Sequence, residues 1–205
     1  MAGELVWIDC EMTGLDLEKD ALIEVAVLVT DSELNVLGDG VSVVIRPSGE
    51  QLDNMGDFVR EMHTKSGLLE QLDGGMTMAE AMQRCLDYIK EWVPSPGKAP
   101  LAGNTIGTDR AFLARDMNEL EQWVHYRNVD VSSIKELARR WYPKTMYHAP
   151  AKHGDHRAMA DIQESIAELR YLREAIFVPK PGPTSREAKA IAEQHITELA
   201  PAVDG

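Results

Sequence analysis

Apolar positions along this chain follow two rhythms. From Leu5 to Cys10 they are nearly continuous, and the turn signal Thr13-Gly14 separates them from a second apolar segment, Ala21 to Val29. Short unbroken runs bounded by turn residues predict neighbouring buried strands. A third segment, Val41 to Ile45, stops at Arg46-Pro47, so the first fifth of the chain reads as an antiparallel meander. The rhythm then changes. Behind the capping-box sequence Thr77-Met78-Ala79-Glu80, residues Met82, Cys85, Leu86 and Ile89 repeat at helical spacing until Pro94 ends the pattern. Pro100-Leu101-Ala102 predicts a short buried strand that leads through Gly103-Asn104-Thr105 into a helix from about Thr108. That order implies a parallel crossover. A strand around Val129 and Val131 precedes a second capping box, Ser133 to Glu136, with Leu137, Ala138 and Trp141 behind it. A long helix capped by Asp155 runs to about Phe177, its inward stripe formed by Ala158, Ile162, Ser165, Ile166, Leu169, Leu172 and Ile176. The proline-rich stretch from Val178 to Pro183 breaks it. The chain thus divides into one domain, 1–178, and a polar tail, 179–205, read as mobile or partner-docking.

Composition narrows the classes. No apolar run reaches the ~18 residues that span a bilayer, and the sequence enters its first strand without a basic leader, which predicts a soluble protein with no membrane partner. Cys10 and Cys85 have neither zinc spacing nor the density of a disulfide framework, so a reducing, cytoplasmic setting is expected. The net charge of −13 argues against a grip on long duplex nucleic acid, where Lys and Arg must neutralise many phosphates. The charge is uneven, however. Residues 1–99 hold 7 basic and 19 acidic side chains, whereas 100–173 hold 11 and 10, so any bound phosphate is expected in the central stretch.

Three elements carry candidate chemistry. In Trp7-Ile8-Asp9-Cys10-Glu11 the two-residue period of a strand puts both carboxylates on one face, where they repel each other unless a cation lies between them. Taken alone, such a pair reads equally as a solvated strand end. Asp161 falls within the inward stripe of the long helix, and a carboxylate facing a core needs a partner or a metal. His156 lies five residues earlier, near the first turn. Asp109 follows the loop Gly103 to Thr108 and opens a helix, a place that also suits an acid facing the helix dipole. His148, His153 and His156 are separated by a loop without a nearby cysteine, so zinc is not read here.

The order Asp-x-Glu, a distant Asp, then His-x4-Asp resembles the histidine subclass of the DEDD superfamily of 3′-to-5′ exonucleases. The segments Trp7 to Leu15, Gly103 to Arg110, His125 to Ser132 and Lys135 to Trp141 resemble oligoribonuclease motifs, over roughly residues 4–178. The resemblance implies an α/β, ribonuclease-H-like fold: a mixed five-stranded sheet flanked by helices. It also implies hydrolysis of very short RNA oligomers, down to dinucleotides, to nucleoside 5′-monophosphates. Asp9, Glu11, Asp109 and Asp161 would hold two Mg²⁺ or Mn²⁺ ions, hard cations that take oxygen ligands, with His156 as general base. By the same resemblance Leu15 would wedge between bases, Met12 and Thr105 would line the 3′-nucleotide site, and His63 would approach the phosphate. Tyr126 and Arg127, reaching from the second subunit of a homodimer, would close the far end around a 5′-phosphate together with Ser132. At Phe58 the family often carries a tryptophan, so stacking area is smaller here. A DNA-directed relative or a retired RNA-binding module would share much of this pattern; the His125 to Ser132 segment argues against the former, and the full catalytic set against the latter.

Overall fold

The computed structural model describes residues 3–151 and 157–199, with side chains as far as residue 195. Five strands, β1 (Leu5–Met12), β2 (Leu22–Thr30), β3 (Val36–Val44), β4 (Pro100–Gly103) and β5 (His125–Asp130), form one sheet in the order β3-β2-β1-β4-β5. The β1–β2 and β2–β3 pairs are antiparallel, and β1–β4 and β4–β5 are parallel. This is the expected mixed five-stranded sheet. All nine residues of β2 are buried, as a strand covered on both faces must be.

Strand alternation divides the core. Val6, Ile8 and Cys10 point to one face, where they pack with Ala81, Cys85 and Ile89 of α3 (Met78–Trp92) and Phe112 and Leu113 of α4 (Gly107–Asp116). Trp7, Ala26 and Leu28 point to the other, against Ala138 of α6 (Val131–Trp141) and Ala158, Ile162, Ile166, Leu169 and Leu172 of α8 (Ala158–Ile176). Shorter helices α1 (Gly49–Asp53), α2 (Asp57–Lys65), α5 (Asn118–Trp123) and α7 (Pro143–Tyr147) fill the connections.

Four expectations change. Strand β3 starts at Val36 rather than Val41, because Val36 and Leu37 pair with Thr30 and Val29; Gly38 and Gly40 then adopt positive φ where the register with β2 shifts between Val27 and Val29. Its first half is largely exposed, so no apolar rhythm marks it. Val131 opens a helix rather than continuing a strand. The cap of α6 is Asp130, whose Oδ1 accepts the Ser132 N–H at 2.9 Å, in place of Ser133. Trp141, read as part of that helix's apolar pattern, is 66% exposed. The capping box at Thr77 and Glu80 forms as expected. The Asp155 cap lies outside the described residues. The tail contains α9 (Ser185–Leu199), exposed at every described side chain.

Candidate active site

The site begins with β1. Asp9 and Glu11 continue the face on which Trp7 packs against α8, and that helix brings Asp161 in its first turn onto the same end of the strand. One carboxylate oxygen from each of Asp9, Glu11 and Asp161 can lie within 4.8 Å of the others. The donor set fits a hard divalent cation: three carboxylates, all oxygen, none exposed. Their electrostatics agree. Burial, then the charges of Asp161, Glu24 and Asp109, push the Glu11 carboxyl up to about 8, with Arg157 pulling the other way.

Asp109 approaches from the opposite face. Its helix, α4, packs on the Val6–Cys10 side of the sheet, and β1 pairs with β4 only at Val6–Leu101 and Trp7–Ala102. Beyond those pairs the Cys10 N–H has no β4 partner, and Asp109 Oδ1 accepts it at 3.0 Å. Gly103 permits this close divergence, since a Cβ there would stand 2.9 Å from the Ile8 carbonyl oxygen. The compact trio therefore closes without Asp109, which stands beside it with one oxygen committed to the strand. Burial raises its carboxyl to about 6.

These raised carboxyls set a pH dependence. The cation-free fold keeps a proton on Glu11 up to about pH 8, against an ordinary value of 4.5, so across that window it binds more protons than the unfolded chain. Stability must then fall as pH rises from 4.5 to about 8, with Asp109 contributing between 3.8 and about 6. Thermal melting in chelator is expected at lower temperature at high than at low pH within that window. Added Mn²⁺ should raise it more at the high end, because ligands bind metal deprotonated. A flat or rising chelator profile would show that burial and neighbouring charge do not raise these carboxyls as described.

Sequence reading missed Glu24 and Arg157. Glu24 lies opposite Glu11 in the β1–β2 register and pairs with Arg157 at 3.0 Å. A lone acid inside the apolar run Ala21 to Val29 was the signal available.

The loop after β1 is tightly tied. Thr13 Oγ1 donates to Asp20 Oδ1 at 2.9 Å, the Asp16 N–H donates to Asp20 Oδ2 at 2.9 Å, and Arg115 reaches the Leu17 and Asp20 carbonyls. A Cβ at Gly14 would fall 2.3 Å from Asp20 Oδ2, so the turn requires glycine. Leu15 is held out on this support, 73% exposed, and Phe58 at the start of α2 is 79% exposed. Met12 is half-buried, and His63 Nε2 donates to its carbonyl at 2.9 Å while Nδ1 faces Glu11 Oε2 at 4.0 Å. His63 is buried beside Glu11.

Thr105 and Ser132, expected at opposite ends of a substrate, lie side by side with hydroxyl oxygens 3.1 Å apart. Asp130 Oδ1 gathers them, accepting both the Thr105 N–H at 3.0 Å and the Ser132 N–H. Thr105 carries φ +54°, a conformation costly for a threonine, and this carboxylate holds it there. The Ser132 hydroxyl also donates to Asn104 Oδ1.

Tyr126 and Arg127 are not brought to this end. They begin β5, parallel to β1, and four residues of strand, ~13 Å, separate Tyr126 from Asp130. Arg110 grips the carbonyls of His125 and Tyr126 and the Asn128 side chain, and Tyr126 stands 72% exposed with the Arg127 guanidinium over its ring. His156 lies outside the described residues.

This arrangement of sheet, helices and carboxylates is that of an exonuclease domain: the RNase_T family model, described as an exonuclease, matches residues 6–169. In fold the chain is similar to E. coli exonuclease I in complex with a dA16 oligonucleotide, with a TM-score of 0.66 at 18% identity over 85% of this chain. It spans 41% of that larger protein. It is also similar to the oligoribonuclease of Streptomyces coelicolor, 65% identical over 96% of this chain and 98% of the relative. With that of Cutibacterium acnes it shares 66% identity over 93% of this chain and 95% of the relative. The chain belongs to the oligoribonuclease family.

Proposed function

We propose that this protein is a 3′-to-5′ exoribonuclease that hydrolyses very short RNA oligomers to nucleoside 5′-monophosphates. The observation that carries the proposal is the carboxylate trio Asp9, Glu11 and Asp161, supported by membership of the oligoribonuclease family. These three residues would hold Mg²⁺ or Mn²⁺, and Asp109, with one oxygen tied to Cys10, would contribute its other oxygen toward a second ion. When bound, such ions supply electrostatic stabilisation for phosphodiester hydrolysis. His156 would take the proton from the attacking water, a role its near-neutral intrinsic pKa suits. Leu15 and Phe58 offer apolar and π surfaces to the bases, and Met12 borders the cluster. The paired hydroxyls of Thr105 and Ser132 suit a phosphate oxygen.

Tyr126 and Arg127 lie at the wrong end of their strand to serve their own carboxylates. That placement supports their delivery from a second copy in a homodimer, which would wall off the far end and limit substrate length. Two buried free thiols fit a cytoplasmic location, and no helix among the described residues is long and apolar enough to cross a membrane. The exposed α9 supports reading 179–205 as an appendage outside the exonuclease domain.

Product analysis of 5′-phosphorylated RNAs from dinucleotide to decamer, with Mg²⁺ or Mn²⁺, tests the proposal. Mononucleotides should appear fastest from the shortest RNA, and His156→Ala should slow release by about 10²–10⁴-fold. Equal or faster degradation of long RNA or DNA would overturn the short-RNA reading.

A further inference from the structure

Glu24, third in a wholly buried strand, is 1% exposed, and four donors converge on its carboxylate. Arg157 gives Nη2 to Oε1 at 3.0 Å and Nε to Oε2 at 3.1 Å; the Ser42 hydroxyl donates to Oε1 at 2.9 Å and the Ala158 N–H to Oε2 at 3.4 Å. Three of the four come from two consecutive residues at the start of α8. Arg157 is the N-cap of that helix, yet its side chain makes no cap bond within it. Instead the guanidinium faces β2, and the buried helix-start amide of Ala158 finds its acceptor on the same strand. The Arg157 carbonyl in turn accepts the Asp161 N–H at 3.1 Å. Asp161 thus sits one helical turn from a residue clamped to the strand that neighbours Glu11.

Aliphatic packing orients a helix but resists sliding along its axis weakly, whereas a two-pronged guanidinium–carboxylate contact is directional. We infer that the Glu24–Arg157 ion pair is a positioning device that registers the first turn of α8 against the sheet so that Asp161 meets Asp9 and Glu11. This rests on reading that trio as a cation site. Glu24 and Arg157 are positioning residues acting through Asp161.

A purely electrostatic role makes the opposite prediction in sign. Arg157 is a cation beside the cluster, paired with the residue that lies opposite Glu11, and if charge were all it contributed, Arg157→Met would tighten cation binding. Positioning predicts that the same variant weakens it. The experiment is calorimetric titration with Mn²⁺ alone, without RNA, on full-length wild type, Arg157→Met, Arg157→Lys, Glu24→Gln, the charge-balanced double variant Glu24→Gln/Arg157→Met, and Asp161→Asn, each checked for folding by circular dichroism. Arg157→Met and the double variant should each bind Mn²⁺ about tenfold or more weakly, the range typical of lost outer-shell support. Because both changes break one contact, the double variant should be no worse than the worse single variant. Arg157→Lys keeps the charge without the fork and should fall between, and it carries the test if Arg157→Met fails to fold. Wild-type or tighter binding by the Arg157 variants, with binding lost in Asp161→Asn, overturns this inference and leaves the cation site standing. Wild-type binding by Asp161→Asn overturns the cation site itself, and this inference with it.

Discussion

Asp161→Asn is expected to abolish RNA hydrolysis while leaving the metal-free protein more stable than the wild type. The loss of activity follows from replacing one of three carboxylates, whose oxygens converge within 4.8 Å, with a neutral and weaker amide ligand. It should exceed the roughly 100-fold upper range seen when only an outer-shell partner of a metal is lost. The gain in stability follows from the same proximity. After burial, Asp161 is the largest contributor to the raised carboxyl of Glu11, so neutralising it removes repulsion that the cation-free fold must carry. Every tenfold recovered in the acidity of that carboxyl corresponds to about 1.4 kcal/mol. For a domain of this size about 1 kcal/mol moves the melting temperature by roughly 2–4 °C. Melting curves in chelator and in Mn²⁺ should therefore cross: the variant melts higher without the ion and gains little when it is added. A variant that loses activity and also melts lower in chelator would mean that Asp161 is structural in place of ligating.

The second large effect concerns the two ends of β5. Tyr126→Ala and Asp9→Asn are each expected to be nearly inactive, yet co-expressing them should restore activity. If Tyr126 serves the carboxylates of a partner copy, a mixed dimer contains one intact site assembled from the Tyr126 of one chain and the Asp9 of the other. In a symmetric dimer with random pairing, half the molecules are mixed and one site in each is whole, so about a quarter of wild-type activity should return. Purified mixed dimers with no activity would place Tyr126 and Asp9 in one chain's site, and a purely monomeric protein would remove the basis for sharing.

Much of this site was legible because its chemistry is tied to simple periods. Asp9 and Glu11 share a face through the two-residue repeat of a strand, and Asp161 fell in the stripe of a helix whose apolar spacing is regular. What periodicity cannot say is which face of a sheet a helix covers. Asp109 does stand in the opening turn of α4, but only the packing of Phe112 and Leu113 shows that it arrives from the side opposite α8. Contacts distant in sequence were invisible for a related reason. The Glu24–Arg157 pair joins residues 133 positions apart, and the Thr105–Ser132 contact depends on where β4 and β5 end side by side. The choice of Asp130 over Ser133 as a helix cap turns on that strand end too, since the capping-box pattern is local and the end of β5 is not. His63 is a similar case: its hydrogen bond to the Met12 carbonyl spans 51 positions, and no local pattern announces it.

Alternation along β1 has one more consequence. Cys10 stands between two site carboxylates in sequence, but its thiol is turned into the opposite core, where burial foremost raises its pKa well above the ordinary 9.0. Cys85, in the same core, is pushed up to about 12. Neither sulfur presents a thiolate to an oxidant or alkylating reagent while the fold is closed. Their modification must wait for the sheet and helices to part, so these two cysteines form an internal clock for the opening of this domain.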